Sequence, residues 1–287
     1  MLDFREIDYQ KDISEVVKLI KRGLDKGYTE EFFRWKHLKN PFGKSYGLMA
    51  IDNGKIIGLR MFMFWKFSNV NVNKNLIAIR PVDTVVDEDY RGKGLFKELT
   101  LRGLEECKGK YDLVFNTPNE NSLPGYLKMG WEKVPENSFK LGLFNCFFYG
   151  GKTLELTQLP VSLISKSEGW QTFKSGSFLK WRYEDPKYKS ASLKTAIVIY
   201  SINDLGFFKQ IVVQELFGEV NDIRDIIKAV CKKHVTVFVY YYSNLQTKGL
   251  KPFYKQARKE AIVVARGDVN KVASNINFSL GDLEGKL

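Results

Sequence analysis

Between Val82 and Phe96 the chain reads Val-Asp-Thr-Val-Val-Asp-Glu-Asp-Tyr-Arg-Gly-Lys-Gly-Leu-Phe: an apolar strand, an acidic turn, then a basic loop bracketed by glycines that opens a helix. Glycines at 92 and 94 leave backbone room for a bound group, and the first amides of the following helix point outward at its positive end. Such a turn suits an anion, so Arg91, Gly92, Lys93, Gly94, Leu95 and Phe96 are candidate pyrophosphate contacts. There is no Gly-x-x-x-x-Gly-Lys-Ser/Thr, so this is not a nucleotide triphosphate P-loop. The absence of an early Gly-x-Gly-x-x-Gly argues against a dinucleotide fold.

Downstream, Asp112 to Thr117 reads as a short buried strand. Pro118-Asn-Glu-Asn-Ser-Leu-Pro-Gly-Tyr-Leu-Lys-Met-Gly-Trp131 follows as a loop, a short helix and a glycine stop. Together the two stretches resemble the GNAT (Gcn5-related) N-acetyltransferases. Their cofactor loop runs Arg/Gln-x-x-Gly-x-Gly/Ala, and the next strand is commonly followed by an Asn, a small residue three further on, a Tyr and Gly-Phe. Asn119, Ser122, Tyr126, Gly130 and Trp131 hold those positions here. Glu88 stands where Pro is usual and Phe96 where the last small residue is usual, and neither change removes the loop amides.

The resemblance implies an α/β protein with a mixed sheet, the GNAT acyl-CoA N-acyltransferase fold, using acetyl-CoA as co-substrate and no metal. It places cofactor contacts on the strand at Thr84, Val85 and Val86, whose amides would polarise the thioester carbonyl. Further contacts fall on the loop Arg91 to Phe96 and on Asn119 and Ser122. It makes Tyr126 the acid that protonates the departing thiolate.

The flanking pattern supplies the rest of such a fold. Leu2 to Ile7 alternates as a strand, and apolar residues recur at helical spacing from Asp12 to Leu24. Glu30 to Leu38 is a second short helix. Tyr46 to Ile51 and Ile56 to Phe67 flank an Asn-Gly turn, Asn75 to Val86 leads into the loop, and Leu95 to Cys107 is the helix beyond it.

At 287 residues the chain is too long for one such domain. Phe32-Phe-Arg-Trp-Lys-His37 with Pro41 behind it resembles Phe178-Leu-Lys-Trp-Arg-Tyr183 with Pro186 behind it, which suggests one unit used twice. The second half continues as strand Phe207 to Phe217, helix Asn221 to Lys233, strand Val235 to Tyr242, a short helix around Lys251 to Arg258 and strand Ala261 to Arg266. It has no Arg-Gly-x-Gly. The expected division is therefore a GNAT domain at 1–148 and a degenerate GNAT-like copy at 149–287, joined near Gly150 to Thr157.

The net charge of +12 comes from scattered basic residues with no nucleic-acid motif, so no nucleic-acid partner is expected. Three separated cysteines and a charged start point to a cytoplasmic protein, and no apolar run is long enough to span a membrane. Two histidines offer no metal-site spacing. The oligomeric state is not legible.

Acyl transfer to an amine needs a proton acceptor, because an amine of pKa near 10.4 is neutral in only about one molecule in two thousand at pH 7. Asp83, a carboxylate inside an apolar strand, is the candidate, with Arg60 or Arg80 as its possible ion-pair partner. The expected acceptor is a small-molecule amine, with an amino sugar suggested by the resemblance of the loop sequences to acetyltransferases of surface-polysaccharide synthesis. Two other classes stay open: a tandem GNAT-like aminoacyl-tRNA-dependent transferase, and a non-catalytic acyl-CoA sensor.

Overall fold

The computed structural model describes residues 2–134, 138–146, 149–151, 154–155, 169–260, 262–267 and 276–283. Part of the expected junction, residues 152, 153, 156 and 157, lies outside them. In the first half, strands β1 (Leu2–Glu6), β2 (Tyr46–Asp52), β3 (Lys55–Asn69), β4 (Lys74–Val86), β5 (Leu113–Asn116) and β6 (Glu132–Lys133) alternate with four helices. These are α1 (Ile13–Gly23), α2 (Glu30–His37), α3 (Leu95–Glu106) and α4 (Leu123–Lys128). Strand β7 (Ser138–Leu143) ends the first half, and the second holds β8 (Leu154–Glu155), β9 (Gln171–Thr172), β10 (Lys189–Leu193), β11 (Ala196–Asp204) and β12 (Lys209–Phe217). It continues with β13 (Phe238–Tyr242), β14 (Tyr254–Glu260) and β15 (Val264–Gly267), and with α5 (Gly176–Arg182), α6 (Val220–Lys233) and α7 (Leu280–Leu283).

The strands form two mixed sheets, ordered β1-β2-β3-β4-β5-β15-β6 and β8-β10-β11-β12-β13-β7-β14. Read side by side, the two orders match strand for strand, with α3 following β4 and α6 following β12. The chain thus carries one strand order twice. The sheets exchange strands between the halves: β15 sits between β5 and β6 and the short β9 pairs beside β3 in the first sheet, while β7 sits between β13 and β14 in the second. Division of the chain near residue 148 therefore separates strands that trade places. Residues 251–258 were expected as a helix but run into strand β14. Pro252 lacks the N–H a helix needs, and the edge of β7 offers a ladder from Tyr254 to Glu260.

The repeated aromatic segment sits where the halves meet. Thr29 and Ser175 cap α2 and α5 in the same way, each hydroxyl accepting from the amide three residues on, at 3.1 and 3.2 Å. Trp35 and Trp181 stack at 4.9 Å, and each indole N–H donates to the other's carbonyl, Trp35 Nε1 at 3.1 Å and Trp181 Nε1 at 2.9 Å. A reciprocal pair of this kind marks a local two-fold relation. One apolar core runs through the contact, joining Trp65, Phe67 and Phe115 to Phe178, Leu179 and Phe278. A second core lies between α3 and the first sheet, where Gly103 lets the helix approach so closely that a Cβ would stand 2.2 Å from the Phe62 ring.

Candidate active site

The loop after β4 is built as an open cradle. Gly92 and Gly94 take φ of 75° and 84°, the left-handed region that glycine enters without strain, and a Cβ on either would meet nothing within 4 Å. Gly94 begins α3 with no side-chain cap, so the leading amides of this helix are free of protein acceptors at its positive end. Arg91 anchors the loop through Nε to the Val86 carbonyl at 3.3 Å, and Lys93 rests over the Tyr90 ring. The carboxylate of the preceding turn is drawn away: Asp87 pairs with Lys55 at 2.9 Å and Arg22 at 3.8 Å. The second half has no such opening. A Cβ on Gly218 would stand 2.6 Å from the Ala196 backbone, and Thr195 bonds Glu219 and Asp222 across the start of α6.

Beside the cradle the first sheet opens. Parallel β4 and β5 pair only at Ala78 with Leu113 and at Ile79 with Val114, while the other edge of β5 is paired with β15 all the way from Leu113 to Asn116. On its other side β4 bulges against β3, two residues, Asp83 and Thr84, standing opposite Arg60. Asp83 takes a left-handed φ of 46° there. The opening leads into a pocket of about 730 Å³, whose lining includes Phe96, Asn116, Thr117, Asn119, Ser122 and Tyr126 together with Tyr28, Phe32, Lys36, Arg80, Asp83 and Thr84. Of the expected cofactor residues, Thr84, Phe96, Asn119 and Ser122 reach this pocket, while Val85, Val86 and Arg91 to Leu95 form the strand end and cradle beyond it. Asn119 also accepts from the Ser122 amide and hydroxyl, both at 2.9 Å, which shapes the entry to α4.

Tyr126 is 2% exposed, and its hydroxyl accepts from Arg60 Nη2 and from Asn116 Nδ2, both at 2.6 Å. A phenol oxygen has two lone pairs and one hydrogen. With both lone pairs engaged, the hydrogen is what the group has left to offer the pocket. Arg60 has no ion-pair partner among the described residues, its Nε is unbonded, and its guanidinium lies over the Phe62, Phe96 and Tyr126 rings.

Asp83 is paired with Lys36 and His37, not with Arg60 or Arg80. Lys36 Nζ donates to Oδ1 at 2.7 Å, His37 Nε2 lies 2.8 Å from Oδ2, and the Tyr28 hydroxyl donates to Oδ2 as well. Burial alone would raise the proton affinity of Asp83. The Lys36 charge and the bonds from His37 and Lys36 outweigh it and hold the carboxyl well below the usual range. His37 is locked behind it through Ser45 Oγ at 2.9 Å, and burial pushes its own pKa down. Trp35 and His37 therefore serve the interface and the carboxylate.

Replacing Asp83 by Asn should strand the Lys36 ammonium in the interior and cost roughly 3–5 kcal/mol. The sign in pH follows from the lowered carboxyl. The pair's contribution is present above about pH 4 and fades as pH falls through the folded value, so D83N should flatten the acid limb of stability. Denaturant unfolding of both proteins from neutral to acid pH measures this, and equal midpoints throughout would refute it.

Sequence reasoning missed Lys36, Tyr28 and Asn116. Lys36 and His37 had a signal, since they occupy positions that α2's apolar spacing turns inward. Among the described residues no group of three His, Cys, Asp or Glu side chains is arranged to hold a metal, and no helix is long and apolar enough to cross a membrane.

An open anion cradle at a helix start, a sheet split beside it and a tyrosine at the split are the layout expected of the acyl-CoA N-acyltransferase fold. Residues 3–134 match the model of the acetyltransferase (GNAT) domain, so that segment is similar to a GNAT acetyltransferase domain. Solved structures share the whole architecture at low identity. A GCN5-related N-acetyltransferase from Anabaena variabilis is 11% identical with a TM-score of 0.69, over 92% of this chain and 72% of that one. One from Kribbella flavida is 14% identical at 0.69, over 92% and 72%. Eis1 from Mycobacterium abscessus is 13% identical at 0.64, over 93% and 73%. No curated protein sequence matches the chain.

Proposed function

We propose that this enzyme moves an acetyl group from acetyl-CoA to the amine of a small molecule by direct attack within a ternary complex. The reading rests most on Tyr126, whose hydroxyl is held by two donors with its hydrogen left over, on the pocket wall beside the open cradle. The cradle glycines, Arg91, Lys93 and the α3 amides would hold the pyrophosphate, and Thr84 to Val86 would flank the thioester. As the C–N bond forms and the C–S bond breaks, Tyr126 gives its proton to the sulfur. Asp83 meets the acceptor's ammonium. Three protein donors hold its carboxylate well below the usual range, so it holds the ammonium, and the amine's proton leaves to solvent at the pocket mouth before attack. The three buried, unpaired cysteines suit a reducing, cytoplasmic setting.

The test has two stages. Calorimetric titration should show acetyl-CoA binding, which an aminoacyl-tRNA-dependent enzyme would not require. Release of free thiol on adding a panel of amines, amino sugars included, should then follow. Binding without any thiol release would make the protein a sensor and sink the enzymatic reading.

A further inference from the structure

One buried guanidinium in the pocket lining makes its direct hydrogen bonds to neutral atoms only among the described residues. It belongs to Arg80, which is 1% exposed. Its Nη1 donates to the main-chain oxygen of Asp282 at 2.9 Å, its Nη2 to Thr117 Oγ1 at 2.6 Å, and its Nε finds no acceptor. Both partners are neutral, and three of the five N–H donors of the guanidinium are uncommitted. The nearby carboxylates bond other groups: Asp282 and Glu215 share Lys174 at 3.2 and 3.1 Å, Asp282 also accepts from the Ser279 amide at 2.8 Å, and Asp83 accepts from Lys36, His37 and Tyr28. Burial, with the positive charge of Arg182 beside it, pushes Arg80 down to about 10. A cation kept in the interior on neutral oxygens alone is expensive, and a pocket wall is where a ligand can supply the missing anion.

The pyrophosphate of the co-substrate does not fill this role. From Arg80 to Val86, where the cradle begins, is six residues of strand, roughly 20 Å. The anion must come with the acceptor. Asp83 stands three residues from Arg80 on the same strand, roughly 10 Å along it, and although its charge is matched by Lys36, one lone pair of Oδ1 is left to accept from a ligand ammonium in the same pocket. A single planar guanidinium suits a carboxylate, whereas a phosphate dianion calls for further cations, and Lys36 is already paired.

Building on the acetyltransferase reading, we propose that the acceptor is a small amino acid in the broad sense. Its ammonium faces Asp83 and its carboxylate, several bonds away, docks on Arg80. Arg80 is thus a specificity determinant for the amine that is acetylated.

The test compares aminohexanoate with aminohexanamide and hexylamine, together with their shorter homologues, as acceptors in the thiol-release assay with acetyl-CoA. The carboxylate should raise kcat/KM roughly 10- to 100-fold, mostly through KM, as a charge-assisted contact would. Arg80→Met should erase that preference, and Arg80→Lys should restore part of it. Equal use of acid, amide and amine would overturn the proposal, as would a preference that survives in Arg80→Met. Should Arg80→Met fail to fold, the product N-acetylaminohexanoate and its amide, competed against acceptor on the unaltered enzyme, decide alone. Tighter binding of the acid supports the proposal and equal binding overturns it. No thiol release with any amine would overturn the acetyltransferase reading, and this inference with it.

Discussion

Tyr126→Phe is expected to lower kcat by roughly 10²- to 10⁴-fold, the usual contribution of a positioned acid, while KM for acetyl-CoA changes little. The substitution removes one oxygen and keeps the ring that packs against Phe96 and Trp131. It also leaves the Arg60 and Asn116 donors facing an apolar ring, a cost of about 1–3 kcal/mol per unsatisfied group, so thermal stability should be measured on the same sample. A donor with a more acidic thiol separates acid catalysis from packing. Its thiolate leaves without needing a proton, so the defect of the variant should shrink toward unity with such a thioester. A defect of the same size with every leaving group would mean that Tyr126 only shapes the pocket, and full activity with acetyl-CoA would remove it from the mechanism.

What the sequence disclosed and what it hid divide along physical lines. The cradle was legible because glycines bracketing a basic loop at a strand-to-helix turn are a local feature, and local conformation follows local residues. Tyr126 was legible through its fixed distance from Asn119 and Gly130. The repeat was legible because the interface demands the same cap and the same inward tryptophan in both halves. Partners across the sheet were not. Asp83 called for a cation, and two arginines on neighbouring strand positions were the natural candidates. Yet strand alternation and the bulge turn Arg60 toward Tyr126 and Arg80 toward Thr117, and leave the inward face of α2 to supply Lys36. Such pairing depends on register and on bulges, which a one-residue shift reverses. The exchange of β7 and β15 was hidden for a similar reason. Each is a short apolar strand that would pair equally well with its own half, and only the closed sheet selects its place.

That exchange carries the largest expected effect. A fragment ending at residue 148 should not fold into a stable domain. It would lack β15, which covers the outer edge of β5 from Leu113 to Asn116 and buries Val264 and Ala265 completely. It would keep β7, whose two neighbours β13 and β14 are then gone. Trp65 would lose Phe178, Trp181 and the Thr172 hydroxyl that its indole reaches at 2.8 Å, and Trp35 would lose its stacking partner. Each large apolar side chain returned to water costs about 1.5–3 kcal/mol, so losing Phe178, Leu179, Trp181, Val264 and Phe278 together rivals the 5–15 kcal/mol that holds a typical domain folded. The fragment should therefore be insoluble or lack a cooperative melting transition, and should not bind acetyl-CoA. Co-expression with residues 149–287 should restore both properties, because each half holds a strand the other sheet needs. A fragment 1–148 that melts cooperatively and binds acetyl-CoA as tightly as the whole chain would show that the borrowed strand is dispensable and that the halves are independent domains.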